Sequence, residues 1–251
     1  MTERRRRSLD RYLSRCGVAS RVEAEGLVRN GRVAVNGAVV TDPRSWINTR
    51  RDTVTLDGKT VSAPDQIRIF VYNKRRGLLV TSNDPEGRPT IFSDLPEEMR
   101  GDASLKPVGR LDKASAGLLL LTNDNDLATR LLESKLAIPK TYRVKLLPAP
   151  TERQIGHMRS GMRIGDRRPT APARVTVERR NKKSAVVNMV LTEGRNRQIR
   201  RMAEKINCSV EWLVRIRFGP VDLGELPPGE VREATPQEIE ALLACADLQH
   251  D

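Results

Sequence analysis

The sequence predicts an α+β fold, a mainly antiparallel mixed sheet flanked by helices, preceded by a small N-terminal module. Three observations predict it. The candidate strands and helices do not alternate strictly, which disfavours a parallel sheet built from strand–helix–strand units. Asn36-Gly37 and Asp57-Gly58 each sit between alternating apolar residues, the signature of tight antiparallel hairpins. Aromatic residues are only 3% of the 251-residue chain, so a core sized for one large domain plus a small one must rest on Leu, Val and Ile.

The first module is expected to span residues 7–61. Leu9, Tyr12, Leu13 and Cys16 recur at helical spacing, and Gly17 offers a stop. Ser20 with Glu23 three residues on forms a capping box for a second helix, with Val22, Leu27 and Val28 as its apolar side and Gly31 as its end. The two hairpins follow, and residues 62–66, SAPDQ, read as a linker. Residues 67–251 form the second domain. Strands are expected at 67–74 (IRIFVYNK), 117–122 (GLLLLT), 141–146 (TYRVKL), 173–180 (ARVTVERR) and 184–192 (SAVVNMVLT). Helices are expected at 126–134 (DLATRLLES) and 194–206 (GRNRQIRRMAEKI), with an acidic-capped surface helix near 235–244 (TPQEIEALLA) in an acidic C-terminal tail.

Charge narrows the class of partner. The net charge is +13, with 15 basic against 5 acidic residues between 161 and 219 and 1 against 8 after 220. A basic body with an acidic tail suits a polyanion, most simply a nucleic acid, although solvated charged faces would give the same count. Arg4 to Arg7, Arg11, Arg15, Arg21, Arg29 and Arg32 make the first module a candidate RNA grip; the alternative is a small fold kept soluble by its arginines.

Several chemistries lose ground. Cys16, Cys208 and Cys245 are too few and too scattered for a disulfide framework or a zinc site, and His157 and His250 are the only histidines. Metal-dependent and histidine-dependent hydrolases are thereby disfavoured. There is no G-x-G-x-x-G after a strand and no Walker loop. The opening MTERRRRSLD has no apolar segment of a secretory signal, and no apolar run approaches the roughly 18 residues that span a bilayer. The expectation is a cytoplasmic protein with no metal, no cofactor and no membrane partner.

Two stretches remain. Gly109-Arg110-Leu111-Asp112 places a lone carboxylate in a polar turn just before Leu118–Leu121, the most apolar run of the chain. LTEGRNRQIRRM, residues 191–202, reads as a strand end, a glycine turn and a helix whose first turns share Arg195, Arg197, Arg200 and Arg201. So many cations near a helix N-terminus oppose its dipole unless anions face them. An Asp–Arg pair would keep a carboxylate ionised in a water-poor pocket. The pattern alone also allows Asp112 as a turn residue and the arginines as a solvated face.

These segments resemble the pseudouridine synthases that modify ribosomal RNA, the RsuA/RluB/RluE/RluF-type family. GRLDKASAGLLLLTNDNDLA is similar to the family's signature segment, KTYRV to the segment bearing its active-site tyrosine, and LTEGRNRQIRRM to its third segment. The similarity runs over residues about 66–235, and residues about 7–60 resemble the small alpha-L RNA-binding module found also in a small-subunit ribosomal protein. The resemblance implies the pseudouridine synthase fold, with Asp112 as catalytic aspartate, Tyr142 as active-site tyrosine and Arg200 as the partner of Asp112. It implies RNA contacts from Arg110, Lys140, Arg195 and Arg197, and from Arg11, Arg15, Arg21 and Arg32 in the first module. The implied reaction is cofactor-free isomerisation of a uridine in ribosomal RNA, bare or within an assembly intermediate; separately, the uncompensated positive charge favours a monomer. The loop at 83–96 looks most like the RluB branch, which acts on large-subunit RNA. One departure is local: the family often has Asn-Lys-Pro-x-Gly where this chain reads Asn73-Lys74-Arg75-Arg76-Gly77, and without the proline the strand end is expected to be less rigid. The competing reading is a non-enzymatic ribosome-assembly factor with Asp112 in a structural role. An RNA methyltransferase lacks a glycine-rich donor loop.

Overall fold

The computed structural model describes residues 6–62, 66–81, 84–102 and 104–246. Arg4, Arg5, the centre of the expected linker (63–65), Asn83 and the end of the acidic tail with His250 lie outside them. The chain divides into two compact units: residues up to 69 with 101–106 and 121–126, and residues 70–100 with 107–120 and 127 onward.

The first unit holds β1 (Arg6–Ser8), α1 (Leu9–Arg15), α2 (Arg21–Arg29), β2 (Val33–Val35), β3 (Ala38–Val39), β4 (Trp46–Asn48), β5 (Val54–Leu56) and β6 (Lys59–Val61). β1 pairs with β4, and the other strands run in the order β3-β2-β5-β6, antiparallel throughout. Both hairpin turns form as expected. Asn36 and Gly37 have φ of 51° and 83°, Asp57 and Gly58 50° and 79°, the double left-handed geometry that matches strand twist. The capping box of α2 also forms: Glu23 N donates to Ser20 Oγ at 3.3 Å and Ser20 N to Glu23 Oε2 at 2.8 Å. Its buried face is Ala24 and Val28, whereas Val22 is 80% exposed. Residue 22 is two positions from 24, which on a helix is nearly the opposite side, so the expected contact of Val22 is not made. Arg7 is paired with Asp126, and Arg15 with Asp124 at 3.3 Å, both acids coming from the later segment that joins this unit.

The second unit takes most of a sheet made of β7 (Ile69–Lys74), β8 (Lys106–Pro107), β9 (Ala116–Thr122), β10 (Lys140–Leu147), β11 (Arg174–Arg180), β12 (Ala185–Leu191), β13 (Ser209–Phe218), β14 (Val221–Asp222) and β15 (Val231–Glu233). Its helices are α3 (Ile91–Asp94), α4 (Asn125–Arg130), α5 (Glu152–Ser160), α6 (Gln198–Lys205) and α7 (Pro236–Cys245), α4 beginning at the junction of the two units. The strand order is β11-β12-β10-β13-β9-β7-β15, with β14 on β13 and β8 on β9. Pairing is antiparallel from β11 through β13 and parallel between β13 and β9, a mixed, mainly antiparallel α+β sheet as expected. At the parallel contact Gly117 has φ of 101°, and a Cβ there would lie 2.3 Å from the Arg215 carbonyl oxygen, so only glycine fits. Leu118–Leu121 are fully buried. A larger cluster, including Val144, Val187, Met189, Ile155 and Met202, packs α5 and α6 against β10 to β13.

Two expectations shift. The helix expected from Gly194 starts at Gln198, so Arg195 and Arg197 precede it rather than share its first turns. Glu193 is the cause: it accepts from Ala171 N, Gln198 Nε2 and Arg195 Nε, which fixes 193–198 as a loop. The helix expected at 126–134 stops at Arg130, before a 3₁₀ turn at 134–136.

Candidate active site

Asp112 lies in the turn that feeds β9, and this turn is held at four consecutive carbonyls. Lys74 Nζ donates to Asp112 O at 3.4 Å and to Ser115 O at 2.9 Å. Gly77 N donates to Lys113 O at 2.7 Å, and Arg200 Nη2 to Ala114 O at 3.1 Å. Ser115 N closes the turn on Asp112 O at 2.9 Å. The leucine strand behind it is rigid because it is buried, and the carbonyl clamps in front fix where the carboxylate emerges.

Lys74 is fully buried at the end of β7, with a third bond to Arg75 O at 2.9 Å. Burial pushes its amine down to about 8, against the opposing fields of Asp112 and Asp94. The strand end that lacks the family's proline is braced differently. Arg75 Nη1 donates to Asp94 at 2.6 Å and Nε to Pro228 O at 3.3 Å, and a Cβ on Gly229 would meet this guanidinium at 2.3 Å. Tyr72 also donates to Asp94, at 2.6 Å.

A cavity of about 840 Å³ opens beside the turn, and Asp112, Tyr142, Arg200, Arg110, Lys140, Arg195 and Arg197 all line it. These seven expected site residues of the second domain are thus brought to one place, while Arg201 pairs with Asp166 outside the lining. Tyr142 is half-buried on β10, directly across from Arg215 on β13. Arg110 and Arg197 are exposed at the cavity. Arg197 precedes α6 in the left-handed region, φ 48°, a strained place for a non-glycine residue.

The expected Arg200–Asp112 pair takes another form. Arg200 donates to the carbonyls of Val210 and Ala114, and its Nε is buried without a partner. Among the described residues no N–O contact within 4.0 Å joins Arg200 to the Asp112 carboxylate. Arg200 therefore grips the turn rather than the carboxylate. Burial and then Arg197 pull its guanidinium below the usual arginine range, while Asp112 acts in the opposite sense.

Arg195 is committed to Glu193 in its own loop and, across to the 166–169 segment, to Asp166 and the carbonyls of Arg168 and Pro169. In the first unit, Arg21 pairs with Asp10 at 2.6 Å and Arg32 grips Asp57 with two nitrogens, whereas Arg11 is exposed. Sequence reasoning missed Lys74 as the clamp and Arg215, which sits on a strand it did not single out. The signal for Lys74 was its position, a lysine at the end of a strand that opens on the apolar run Ile69–Tyr72. Among the described residues no three His, Cys, Asp or Glu side chains gather as a metal set. No helix among them is long and apolar enough to cross a membrane.

One carboxylate on a clamped turn, beside a tyrosine in a cation-rimmed cavity large enough for a nucleotide, defines an enzyme built for a polyanionic substrate. The family model described as RNA pseudouridylate synthase matches residues 68–205, and that of the S4 domain residues 7–45. Ribosomal large subunit pseudouridine synthase B of Bacillus subtilis (strain 168) is 35% identical over 244 residues, covering 95% of this chain and 96% of the relative. An uncharacterized RNA pseudouridine synthase of Mycobacterium bovis is 36% identical over 241 residues, covering 96% and 94%. A solved structure described as that of a pseudouridylate synthase matches with a TM-score of 0.66 at 30% identity, covering 94% of this chain and 99% of that one. The chain belongs to the RNA pseudouridylate synthase family and carries an S4 domain in its N-terminal part. It is an RNA-modifying isomerase, as the three sequence segments implied.

Proposed function

We propose that this enzyme converts a uridine of large-subunit ribosomal RNA to pseudouridine, with Asp112 as its catalytic carboxylate and no cofactor. The observation that carries the assignment is the turn at 112–115, whose four carbonyls are each held so that one carboxylate is presented into the cavity that Tyr142 lines. The name of the Bacillus subtilis relative supports the choice of large-subunit RNA.

The reaction breaks the bond between ribose C1′ and uracil N1, turns the base and joins C1′ to C5. A proton leaves C5 and one is gained at N1, so composition and oxidation state are unchanged and no donor group is required. Asp112 acts at the ribose or the uracil from a fixed position, which removes the cost of finding the reacting atom. Tyr142, which lines the cavity, stacks on the base, and its hydroxyl assists loss of the C5 proton. Lys74 and Arg200 are positioning residues that act through the turn. The target nucleotide is flipped out of its stack to reach the cavity. The basic module at 7–61, joined through 62–66 to the catalytic domain from 67, adds phosphate contacts on neighbouring RNA, with Arg11 the least encumbered of its candidate cations. The enzyme works as a monomer in the cytoplasm, on ribosomal RNA alone or in an assembling subunit.

The test is release of tritium from large-subunit RNA transcribed with 5-tritiated uridine. Release that tracks enzyme concentration, with pseudouridine mapped by carbodiimide-stopped primer extension, is expected. RNA that is bound but loses no tritium, bare or in assembling subunits, would overturn the proposal.

A further inference from the structure

Lys140 and Arg215 stand on neighbouring strands, β10 and β13, and both line the cavity. The register explains how. Tyr142 faces Arg215 and Lys140 faces Phe218, with an irregularity between Thr141 and Tyr142. Such a bulge re-aims side chains at functional sites. The Lys140 ammonium lies 5.4 Å from the centre of the Phe218 ring and the Arg215 guanidinium 5.5 Å from the same centre.

Two cations sharing one ring repel each other. Among the described residues neither forms an ion pair. Arg215 is 3% exposed; its Nε donates to Leu118 O at 2.7 Å, and its Nη2 is buried with no hydrogen-bond partner. Lys140 Nζ donates to Ile138 O at 3.0 Å. Burial and then the charge of Arg215 both push the Lys140 amine down. Cation–π attraction to Phe218 offsets part of the repulsion but brings no negative charge. A buried guanidinium without an ion pair is costly, and one with a free nitrogen beside a half-buried ammonium fits the several acceptor oxygens of a phosphodiester.

We infer that Lys140 and Arg215 form an anion subsite for a phosphodiester next to the target uridine. The inference rests on the proposed function, because Tyr142, taken as the base-stacking residue, fixes where the nucleotide lies. Lys140 is two residues along the strand from Tyr142, about 7 Å, the scale of the step from a nucleobase to its own phosphate. Arg215 thus becomes a substrate-binding residue, and β13 a strand that recognises RNA backbone at the reacting nucleotide.

The experiment uses the full-length enzyme and short RNA substrates in which one phosphodiester at a time is replaced by a neutral methylphosphonate. Neutralising a linkage that flanks the target uridine is expected to lower kcat/KM about tenfold to a hundredfold, the scale of a charge-assisted hydrogen bond. Neutral linkages farther away should cost less. In Lys140→Met and in Arg215→Lys the flanking linkage should lose most of its effect, because its partner is already impaired. The wild-type scan decides even if an Arg215 variant does not fold. Flanking linkages no more sensitive than distant ones, or a flanking penalty undiminished in Lys140→Met, would overturn the subsite. Failure of the unmodified RNA to react at all would instead overturn the functional proposal.

Discussion

Replacing Lys74 by Met should separate activity from stability. The side chain is fully buried, and its ammonium holds Arg75 O and Ser115 O at 2.9 Å and Asp112 O at 3.4 Å. Two good bonds from a charged donor contribute about 1.5–3 kcal/mol each. Against them stands the cost of the buried charge: a fall from 10.5 to about 8 corresponds to about 3 kcal/mol at neutral pH. The net loss of stability in Lys74→Met is therefore about 0–3 kcal/mol, which lowers Tm by less than about 12 °C in a protein of this size. Turnover should suffer more, since releasing the Asp112 turn by about 1 Å costs on the order of a hundredfold. pH supplies a second readout. The folded value of Lys74 lies below its unfolded value, so between about pH 8 and 10.5 the unfolded chain holds the extra proton and this group's contribution to stability rises with pH. Activity should move the other way. Above about pH 8 a neutral amine has two hydrogens for three carbonyls and no charge, and the turn loosens. Tritium-release turnover across pH, beside thermal melts, measures both. Wild-type turnover in Lys74→Met, or an alkaline limb identical in variant and wild type, would refute the clamp.

Three further outcomes follow from the same structure. Tyr142→Phe keeps the ring and loses the hydroxyl, so kcat should fall about 10²–10⁴-fold with little change in KM, read by tritium release; an unchanged kcat would remove the hydroxyl from the proposed chemistry. Arg11→Ala should reduce the slope of log affinity against log salt by about 0.7–0.9, whereas Arg32→Ala, whose guanidinium already grips Asp57, should change it less. Fluorescence anisotropy with labelled RNA over a salt series separates the two. Gly117→Ala sets a methyl group against the Arg215 carbonyl oxygen at 2.3 Å and should cost more than about 2 kcal/mol in thermal unfolding; a melt like wild type would mean that β9 and β13 need not approach so closely.

What could be read ahead of the structure followed from local chemistry. The Asn36-Gly37 and Asp57-Gly58 turns and the Ser20–Glu23 box are decided by a few adjacent residues, and each forms as expected. Leu118–Leu121 declared a buried strand because nothing but a core accepts four such residues in a row. Features that depend on distant partners were harder to read. β13 mixes charged and apolar residues, and its Arg215 looks like a solvent-facing arginine until β10 and β9 are placed on either side of it. The start of α6 depended on Glu193 tying Ala171, Arg195 and Gln198 together, which no helical pattern reveals. Arg200 and Asp112 were brought together in one cavity, but through Ala114 O rather than a direct pair, because the nearest acceptor to the guanidinium is the turn itself.

The most direct measurement is single-turnover pseudouridine formation by Asp112→Asn on a substrate RNA that the wild type converts, with RNA affinity measured in parallel. No detectable product and wild-type affinity are expected, since the amide keeps the shape of the side chain and cannot carry its charge. Product formed at the wild-type rate would contradict the catalytic role of Asp112.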